Sequence, residues 1–472
     1  MHLSGVVAAA AVLPIAPRQS TPTPVTALTV NLDQRFQSID GFGFSEAFQR
    51  AYNIYNLEEP KRSQVVDLLF NTTTGAGFSI VRNGIGSSPN SSLDWMNTIA
   101  PTGPANPASA LEYIWDGKDS GQLWVSQQAV KYGVNVFYAN AWSAPGFMKT
   151  NGRDSNGGLL CGVRGSACSS GDWRQAYADY LVKYIRFYEE SGVKVTHLGF
   201  LNEPDFSTSY ASMQSNGSQS ADFIKVLHPA LAKAGLSHVH IACCDATGWR
   251  VQATMTNALK EAGVEDLIGI ITSHPYSNGI SGTLPTSRKV WQTEFSDLAG
   301  GWSTAWYTNG ATGDGYTWAN HIYTGLTAGN VSAYLWWVAT QDRETNNNNN
   351  EKLILVDKGD YFVSKRFWAF AQYSRLIRPG AVRVGVAGGS NLRSTAFLNA
   401  DGTVVVNVIN TAATEAALSV SGVRAIAAKA WKTDNDNDMA AVAATVGPDG
   451  TVSGVSVPGR GLISFVITTL AS

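Results

Sequence analysis

Residues 173–203 (WRQAYADYLVKYIRFYEESGVKVTHLGFLNE) combine a helical pattern with a strand pattern. Within Trp173–Glu190 the apolar side chains recur every three or four residues, which predicts an amphipathic helix, and Gly192 follows as a stop signal. Val195–Glu203 is a short, mostly apolar run, which predicts a buried strand. The stretch is therefore one helix–strand unit, the building block of parallel α/β folds.

The same alternation extends over most of the chain. Helical periodicity recurs in Ser220–Ala234, Val251–Ala262 and Val363–Ile377. Eight strand candidates are distributed among the helical segments: Ile39–Gly43, Ser79–Gly84, Val134–Trp142, Val195–Glu203, Val239–Cys244, Ile268–His274, Lys289–Glu294 and Val331–Val338. Eight strands, each followed by a helical segment, predict an α/β fold of the (β/α)8 TIM barrel type. A doubly wound sheet is the alternative, but Gly41-Phe42-Gly43 lacks the third glycine of a dinucleotide-binding loop.

A C-terminal β-sandwich is predicted for residues 380–472. Alternating stretches separated by Gly, Asn and Asp turns follow the last helical segment: Thr403–Ile409, Ala416–Val420 and Gly461–Ile467. Such a pattern is typical of a sandwich. Residues 25–37 also alternate and are expected to add an N-terminal strand to it, so that the barrel spans 38–379. We interpret the sandwich as a structural side domain rather than a separate sugar-binding module.

The N-terminus has the composition of a secretory signal. The segment Leu3–Ala16 is uncharged and mostly small and apolar, which is the length of a signal-peptide core and too short to cross a bilayer. We expect a cleaved signal peptide over residues 1–18, a Ser/Thr/Pro-rich linker over 19–24, and a secreted, extracellular protein. No other stretch reaches the roughly 18 consecutive apolar residues of a membrane span.

The overall charge excludes several classes of partner. The 472 residues contain 34 Lys and Arg against 36 Asp and Glu, a net charge of −2, so no net field attracts nucleic acid or an anionic membrane. Only 15% of the residues are charged, and 14 Trp and 17 Tyr are present, which argues against disorder. The composition suits a secreted protein, expected to be a monomer, that handles neutral or weakly acidic ligands.

Four cysteines and four glycosylation sequons fit an oxidising compartment. Cys161 and Cys168 enclose a Gly-rich loop and are expected to form a disulfide, whereas the adjacent Cys243 and Cys244 are expected to be buried free thiols. The run Asn346–Asn350 is expected to be a flexible loop tip. The sequons stand at Asn71, Asn90, Asn216 and Asn330.

The carboxyl ends of the predicted strands carry the candidate functional residues, because active sites of such barrels form there. The fourth strand ends in Asn202 and Glu203, and the seventh ends in Glu294. Glycosidic cleavage needs two facing carboxyl groups, one to protonate the leaving oxygen and one to attack the anomeric carbon or activate water. Further side chains expected at the same mouth are Arg82, Trp142, His274, Tyr276, Trp336 and Trp337.

Other chemistries lack support in the sequence. No His, Cys and carboxylate cluster has metal-ligand spacing, and no GxSxG elbow, P-loop or dinucleotide loop is present. We therefore expect neither a metal nor a cofactor. Trp and Tyr supply flat apolar faces for sugar rings, and His274 is expected to hold a neighbouring side chain in place.

Short strings at the strand ends resemble glycoside hydrolase family 30. They are IDGFGFSEAFQRA (39–51), RNGIGSSP (82–89), NAWSAPGFMK (140–149), LNEP (201–204), TSHPYS (272–277), QTEF (292–295) and YLWWV (334–338). GFGFSEAF together with IGSSPNSSLDWMNTI most resembles subfamily 7 of that family, the fungal xylanases. The resemblance extends from Val25 to the C-terminus and implies a retaining (β/α)8 hydrolase with a side domain.

The resemblance also implies individual roles. Glu203 would be the general acid/base and Glu294 the nucleophile, and Asn202 would hydrogen-bond the 2-hydroxyl of the sugar in subsite −1. The remaining implied site residues are Arg82 and Tyr276, which would hold the nucleophile, and Trp142 and Trp337, which would wall subsite −1.

Two further residues bear on the substrate. Arg50 stands where some subfamily members grip the carboxylate of a glucuronosyl branch, a task that suits a planar guanidinium. Asn97 stands near the place where an Asn of some relatives blocks the cleft and leads to xylobiose release. The sequence therefore predicts a retaining endo-β-1,4-xylanase for glucuronoxylan, with xylobiose release as a second activity. A β-1,6-glucanase or β-1,6-galactanase of the same family is the alternative, and a non-catalytic carbohydrate-binding protein is the third hypothesis.

Overall fold

The computed structural model describes Met1 and residues 24–89, 96–344 and 349–470. The strands in chain order are β1 (Val25–Ser38), β2 (Gly41–Ser45), β3 (Ile80–Ile85), β4 (Val136–Ala141), β5 (His197–Gly199), β6 (His240–Ala246), β7 (Ile270–Ser273), β8 (Lys289–Gln292), β9 (Asp297–Gly301), β10 (Ala333–Trp337), β11 (Thr340–Asp342), β12 (Asn349–Asn350), β13 (Ile354–Asp357), β14 (Asp360–Val363), β15 (Val382–Ala387), β16 (Leu392–Leu398), β17 (Val404–Asn410), β18 (Ala416–Ser421), β19 (Ala425–Thr433), β20 (Ala440–Val442), β21 (Thr445–Val446), β22 (Val452–Val457) and β23 (Leu462–Thr469). The α-helices are α1 (Ala51–Tyr55), α2 (Lys61–Phe70), α3 (Gln122–Lys131), α4 (Arg174–Glu190), α5 (Gly217–Lys233), α6 (Trp249–Glu261), α7 (Gly315–Thr327) and α8 (Lys365–Ser374).

Eight parallel strands close into a barrel in the order β10-β2-β3-β4-β5-β6-β7-β8. This confirms the predicted (β/α)8 barrel, and each of the eight predicted strands overlaps an observed one. Five of the observed strands (β4, β5, β7, β8 and β10) end earlier than predicted, because the backbone there leaves the sheet to present side chains. Glu203, for example, follows β5 in a left-handed conformation with a φ of 49°, which a regular strand does not contain.

Helix α4 confirms the helical pattern of residues 173–203. Its buried face includes Tyr177, Tyr180, Tyr184 and Tyr188, spaced three or four residues apart, so these rings form one stripe against the barrel. The hydroxyls of Tyr184 and Tyr188 donate to the buried carboxylate of Asp119 at 2.6 and 2.5 Å. The aromatic stripe therefore packs in the core without leaving these two hydroxyls unpaired.

The predicted C-terminal sandwich is also present. Ten strands form one sheet in the order β20-β19-β23-β17-β16-β15-β1-β18-β22-β21, and it folds over so that β19 faces β21 and β22. The N-terminal strand β1 pairs antiparallel with β15 and parallel with β18. Gln372 of α8 donates to Trp431 O and Ser464 Oγ at 2.8 and 3.0 Å, which ties the sandwich to the barrel.

The asparagine run contradicts one prediction. Asn349 and Asn350 are not part of a flexible tip: they form β12 and pair with β9. The Asn350 side chain is buried, donates to Asp297 Oδ2 at 3.0 Å and accepts from Ser303 N at 2.8 Å. The run of identical residues gave no sign of this pairing. The pairing forms because an amide side chain can donate and accept at once. Residues 346–348 lie outside the described residues.

The two cysteine pairs differ in outcome. The predicted disulfide between Cys161 and Cys168 is confirmed, with Cα atoms 5.6 Å apart. The prediction of free thiols for Cys243 and Cys244 is wrong, because these adjacent residues form a second disulfide. In a regular strand neighbouring side chains point to opposite faces, but at the end of β6, where the register shifts after Cys244, the two sulfurs meet.

The remaining predictions concern the chain's surface and its N-terminus. Asn71 ends α2, Asn216 caps α5, and Asn330 follows α7 with a φ of 52°. Asn90 and almost all of the predicted signal peptide lie outside the described residues. None of the described helices combines the length and apolarity that crossing a membrane requires.

Candidate active site

A cleft of about 650 Å³ opens at the carboxyl ends of the barrel strands. Sequence reasoning predicted several of its lining residues, namely Trp142, Asn202, Glu203, Tyr276, Glu294 and Trp337. They come from five different strands, and barrel closure brings them together. The predicted convergence on one mouth is therefore confirmed for these side chains.

The two candidate catalytic carboxyl groups face each other. Glu203 follows β5 and Glu294 follows β8, and a carboxylate oxygen of one lies within 4.8 Å of a carboxylate oxygen of the other. Both side chains are largely buried, with 13% and 8% of their surface exposed. Burial raises the pKa of Glu203, and the nearby charge of Glu294 adds to that shift. Glu203 therefore keeps its proton to a higher pH than an ordinary glutamic acid does.

Arg82 holds the Glu294 carboxylate in place. Its guanidinium is fully buried, donates from Nη1 to Glu294 Oε2 at 2.5 Å, and donates from Nη2 to Asn202 Oδ1 at 2.5 Å. Because Asn202 turns its oxygen toward Arg82, its amide Nδ2 is the group left to donate to a ligand hydroxyl. The Arg82 guanidinium also lies 4.5 Å from the centre of the Trp142 ring, a cation–π distance.

Asp245 completes this network, and sequence reasoning missed it. It follows Cys244 at the end of β6 and is fully buried. Four side chains donate to its carboxylate, at distances from 2.6 to 2.9 Å: Arg82, Tyr138, Asn140 and Thr293. Burial alone would raise the pKa of Asp245, but Arg82 and His274 outweigh it and hold the pKa below its ordinary value. Asp245 therefore stays ionised and shares Arg82 with Glu294.

His274 links the two sides of the site. Its Nδ1 lies 3.1 Å from Glu203 Oε1 and 4.0 Å from Glu294 Oε1, and its Nε2 lies 3.9 Å from Asp245 Oδ2. Burial opposes the charge of the ring, but the surrounding carboxylates outweigh burial and raise the pKa of His274 to about 9. Glu203, His274 and Glu294 have the spacing of a metal site. The 3.1 Å contact between His274 Nδ1 and Glu203 Oε1 also suits the exchange of a proton within this trio.

Aromatic side chains wall the cleft. Trp142 and Trp337 lie 5.8 Å apart between ring centres, and Phe48 packs edge-on against both, at 5.3 and 6.1 Å. Phe48 belongs to the string SEAFQR quoted above, but no role was predicted for it from the sequence. The Tyr276 hydroxyl lies 3.4 Å from Ser296 Oγ. Trp336, also expected at the mouth, is instead fully buried against Trp318.

Arg50 is not among the described residues that line the cleft, but with Phe48 it lines a neighbouring pocket. It is 1% exposed, directly precedes α1, and donates from Nη1 to Phe48 O at 2.6 Å. Burial raises the pKa of Glu46 to about 8 and also raises that of Glu351, and the charge of Arg50 opposes both shifts. The left-handed backbone at Phe48 and Gln49 turns the Phe48 ring into the cleft and places Arg50 behind it, among protein carboxylates.

Asn97 is likewise absent from the described lining of the cleft. It is exposed and forms an isolated backbone bridge with Ser88 on the loop after β3. This bridge holds Asn97 on the protein surface, so the described residues give no contact through which it would block the cleft.

One acidic residue that lines the cleft, Glu351, was not predicted from the sequence. Glu351 follows β12, is 3% exposed and lies beside Trp337 in the cleft. It directly follows the asparagine run, which gave no signal of function. With Glu203 and Glu294 it makes three carboxyl groups on the described wall of the cleft, whereas no Lys or Arg lines that wall.

Comparison with known families matches the two domains separately. Residues 39–375 match the profile of glycosyl hydrolase family 59, and residues 380–464 match that of the glycosyl hydrolase family 30 β-sandwich domain. Endo-1,6-β-D-glucanase neg1 from Aspergillus fumigatus is 26% identical over 404 residues, which cover 79% of each chain. Lysosomal acid glucosylceramidase from Mus musculus is 24% identical over 422 residues, covering 84% of this chain and 79% of the other.

One solved structure is considerably more similar. The catalytic domain of GH30 xylanase C from Talaromyces cellulolyticus is 44% identical, with a TM-score of 0.88, over 94% of this chain and 100% of the other. This match spans the barrel and the sandwich together, so it decides between the two family profiles. The chain belongs to glycoside hydrolase family 30.

Proposed function

We propose that this protein is a secreted, retaining endo-β-1,4-xylanase that hydrolyses the xylan backbone, including that of glucuronoxylan. The observation that carries the reaction is that one carboxylate oxygen of Glu203 lies within 4.8 Å of one carboxylate oxygen of Glu294. Retaining glycosidases hold their carboxyl groups about 5–5.5 Å apart, whereas inverting enzymes need about 6.5–9.5 Å to admit a water molecule. The likeness to xylanase C supports the choice of substrate, and the two disulfides suit an extracellular compartment.

In the first step Glu203 acts as general acid and Glu294 as nucleophile. Glu294 attacks the anomeric carbon while the proton of Glu203 passes to the leaving glycosidic oxygen, which gives a covalent glycosyl-enzyme. Arg82 fixes one oxygen of Glu294 at 2.5 Å, so the attacking carboxylate is already oriented before substrate arrives. The elevated pKa of Glu203, caused first by burial and also by the charge of Glu294, keeps its proton available.

In the second step the same Glu203 becomes the base. Once Glu294 is esterified it carries no charge, so one of the effects that raises the pKa of Glu203 disappears. His274, held in its charged form 3.1 Å from Glu203 Oε1, then favours the carboxylate. Glu203 takes a proton from water, the water oxygen attacks the anomeric carbon, and Glu294 leaves as carboxylate with net retention.

The described cleft does not call for an acidic branch on the substrate. A glucuronosyl carboxylate is normally recognised by Arg or Lys, and no such side chain lines the described wall. Arg50, the predicted clamp, is buried behind Phe48. We therefore propose that unbranched xylan is cleaved as well as glucuronoxylan, and that branches are tolerated rather than required.

A β-1,6-glucanase is the second candidate. Two curated endo-1,6-β-D-glucanases, from Aspergillus fumigatus and Trichoderma harzianum, are each 26% identical to this chain over about 400 residues. The same acid and nucleophile would serve this reaction, because only the leaving sugar differs. Parallel digestion of glucuronoxylan, unbranched xylan and β-1,6-glucan, with mass analysis of the products, separates the two. Products from the glucan alone would overturn the xylanase proposal.

Azide rescue tests the two roles. In Glu294→Ala the nucleophile is missing, so azide should attack a xylobioside with an activated leaving group and give the α-xylobiosyl azide. In Glu203→Ala the glycosyl-enzyme still forms, so azide should give the β-xylobiosyl azide. These products follow from one or two displacements at the anomeric carbon. The same anomer from both variants, or near-normal xylan turnover in either, would contradict the assignment.

A further inference from the structure

Glu351 is a buried acidic residue in the cleft that the proposed mechanism does not use. It is 3% exposed, lines the cleft beside Trp337, and is close enough to Tyr276 for its charge to affect that hydroxyl. It therefore lies in the part of the cleft where Glu294 and Trp337 would hold a sugar.

One oxygen of this carboxyl group lacks a hydrogen-bond partner in the part of the chain that the structure describes. Gln341 and Trp337 lie within hydrogen-bonding reach of the Glu351 carboxyl group, but its buried Oε1 has no partner with hydrogen-bond geometry among the described residues. A buried polar atom without a partner costs on the order of 1–3 kcal/mol, and more when it is charged. Such an atom beside a cleft is explained if a ligand supplies the missing donor.

The main chain of Glu351 is held firmly. Its carbonyl oxygen accepts from Trp336 Nε1 at 2.7 Å and from Val338 N at 2.5 Å, and its own N–H donates to Asn349 Oδ1 at 3.0 Å. These three hydrogen bonds fix the backbone, and the side chain, which is only 3% exposed, has little room to turn away. The unpartnered oxygen is therefore part of a preformed surface, as a binding site requires.

Two basic side chains lie near the Glu351 carboxyl group. Arg50 and Lys352 lie close enough to oppose the effect of burial on its pKa. Arg50 reaches this place on the far side of Trp337, with its guanidinium 6.0 Å from the ring. The charge of Arg50 thus lies near enough to the Glu351 carboxyl group to favour its ionised form.

We infer that Glu351 is a substrate-binding residue whose Oε1 accepts a hydrogen bond from a hydroxyl group of the xylose ring bound against Trp337. Carboxylates are the strongest acceptors that a protein can offer to a sugar hydroxyl. A neutral ring with a free hydroxyl at that place satisfies Oε1, whereas a ring substituted there leaves it unpaired. The inference rests on the proposed xylanase function and adds a specificity determinant to it.

The test compares Glu351→Gln and Glu351→Ala with the wild type on p-nitrophenyl β-xylobioside. Loss of a hydrogen bond to a charged group should lower kcat/KM about 10- to 100-fold. Glu46→Gln is the matched control: Glu46 is also buried near Arg50 but does not line the cleft. At pH 5 its kcat/KM should stay within about twofold of the wild type.

Monodeoxy xylobiosides separate binding from a structural effect. For the analogue that lacks the contacted hydroxyl, wild type and Glu351→Ala should have equal kcat/KM, while every other analogue should retain the difference. An equal loss on all analogues would show that Glu351 only supports the fold and would overturn the inference. Unchanged kcat/KM in Glu351→Gln and Glu351→Ala would also overturn it and leave the xylanase proposal intact. Failure of the wild type on every xyloside would refute the proposed function and, with it, the inference.

Discussion

Replacing Asp245 by Asn tests whether one buried carboxylate holds the cationic centre of the site together. Asp245 is 0% exposed, and its nearest charged partner, Arg82, donates to it at 2.9 Å. Three neutral donors complete its surroundings: Tyr138, Asn140 and Thr293. An Asn amide presents one oxygen where the carboxylate presents two. The variant must therefore place an NH2 group against one or more of these donors.

The expected loss follows from what stays buried. Removing one partner of a buried ion pair typically costs about 3–5 kcal/mol, because the remaining charge is not compensated. Arg82 keeps Glu294 as a second partner at 2.5 Å, so we expect the lower end, about 3 kcal/mol of unfolding free energy. Activity should fall as well, because a displaced Arg82 no longer orients Glu294. A misplacement of about 1 Å can reduce turnover on the order of 100-fold.

Denaturant unfolding of Asp245→Asn measures the stability change, and the Asp172–Arg174 pair supplies a control. Asp172 accepts from Arg174 at 2.6 Å, but the two side chains are 50% and 29% exposed. An exposed pair is worth at most about 1 kcal/mol, so Asp172→Asn should change little. If Asp245→Asn costs no more than Asp172→Asn and retains full turnover, the assigned role of Asp245 is refuted.

Two further predictions concern stability elsewhere in the barrel. Burial raises the pKa of Glu46 from 4.5 to about 8, so between these pH values the unfolded chain releases a proton that the native protein keeps. From pH 4.5 to pH 8 the unfolding free energy of the wild type should fall by up to about 5 kcal/mol relative to that of Glu46→Gln. Urea unfolding at both pH values measures this, and the same change in both proteins would contradict the prediction. Replacing Cys161 and Cys168 by Ser should cost about 2 kcal/mol, because the reduced chain regains the entropy of a short closed loop. Thermal unfolding of the double variant measures the loss, and an unchanged midpoint would count against a stabilising role.

The fold was largely predictable because its pattern is local. A helix such as α4 reveals itself by apolar periodicity within 17 residues, and each barrel strand by a short apolar run. Eight such units in sequence leave few topologies open, since parallel strands joined by helices connect with one hand. The strand ends were less predictable, because left-handed residues such as Glu203, which follows β5, and Asp245, which interrupts the register of β6, are not encoded by periodicity.

The site was predictable where a residue's chemistry was evident alone and hidden where it depended on a distant partner. Glu203 and Glu294 stand at strand ends, where a carboxylate invites a functional explanation. Asp245 acquires its role only from Arg82, which lies 163 residues away in the chain and meets it through barrel closure. The surroundings of Arg50 were equally hidden: its position in the first loop suggested a substrate clamp, and the two left-handed residues before it, which set where its guanidinium lies, leave no signal in the sequence.

The distribution of charge in the cleft argues for a neutral polyhydroxylated substrate independently of any relative. Arg82 is committed to Glu294 and Asp245, and His274 to Glu203. Both cations are fully buried beneath the cleft floor. The described wall therefore offers a ligand mainly carboxylate oxygens, the amide of Asn202 and aromatic faces. An anionic group would find no counter-ion among the described lining residues, whereas sugar hydroxyls can donate to the carboxylates and sugar C–H faces can stack on Trp142 and Trp337. Specificity in such a cleft depends on which hydroxyl groups reach which acceptor, and for that reason Glu351 is the informative residue to change.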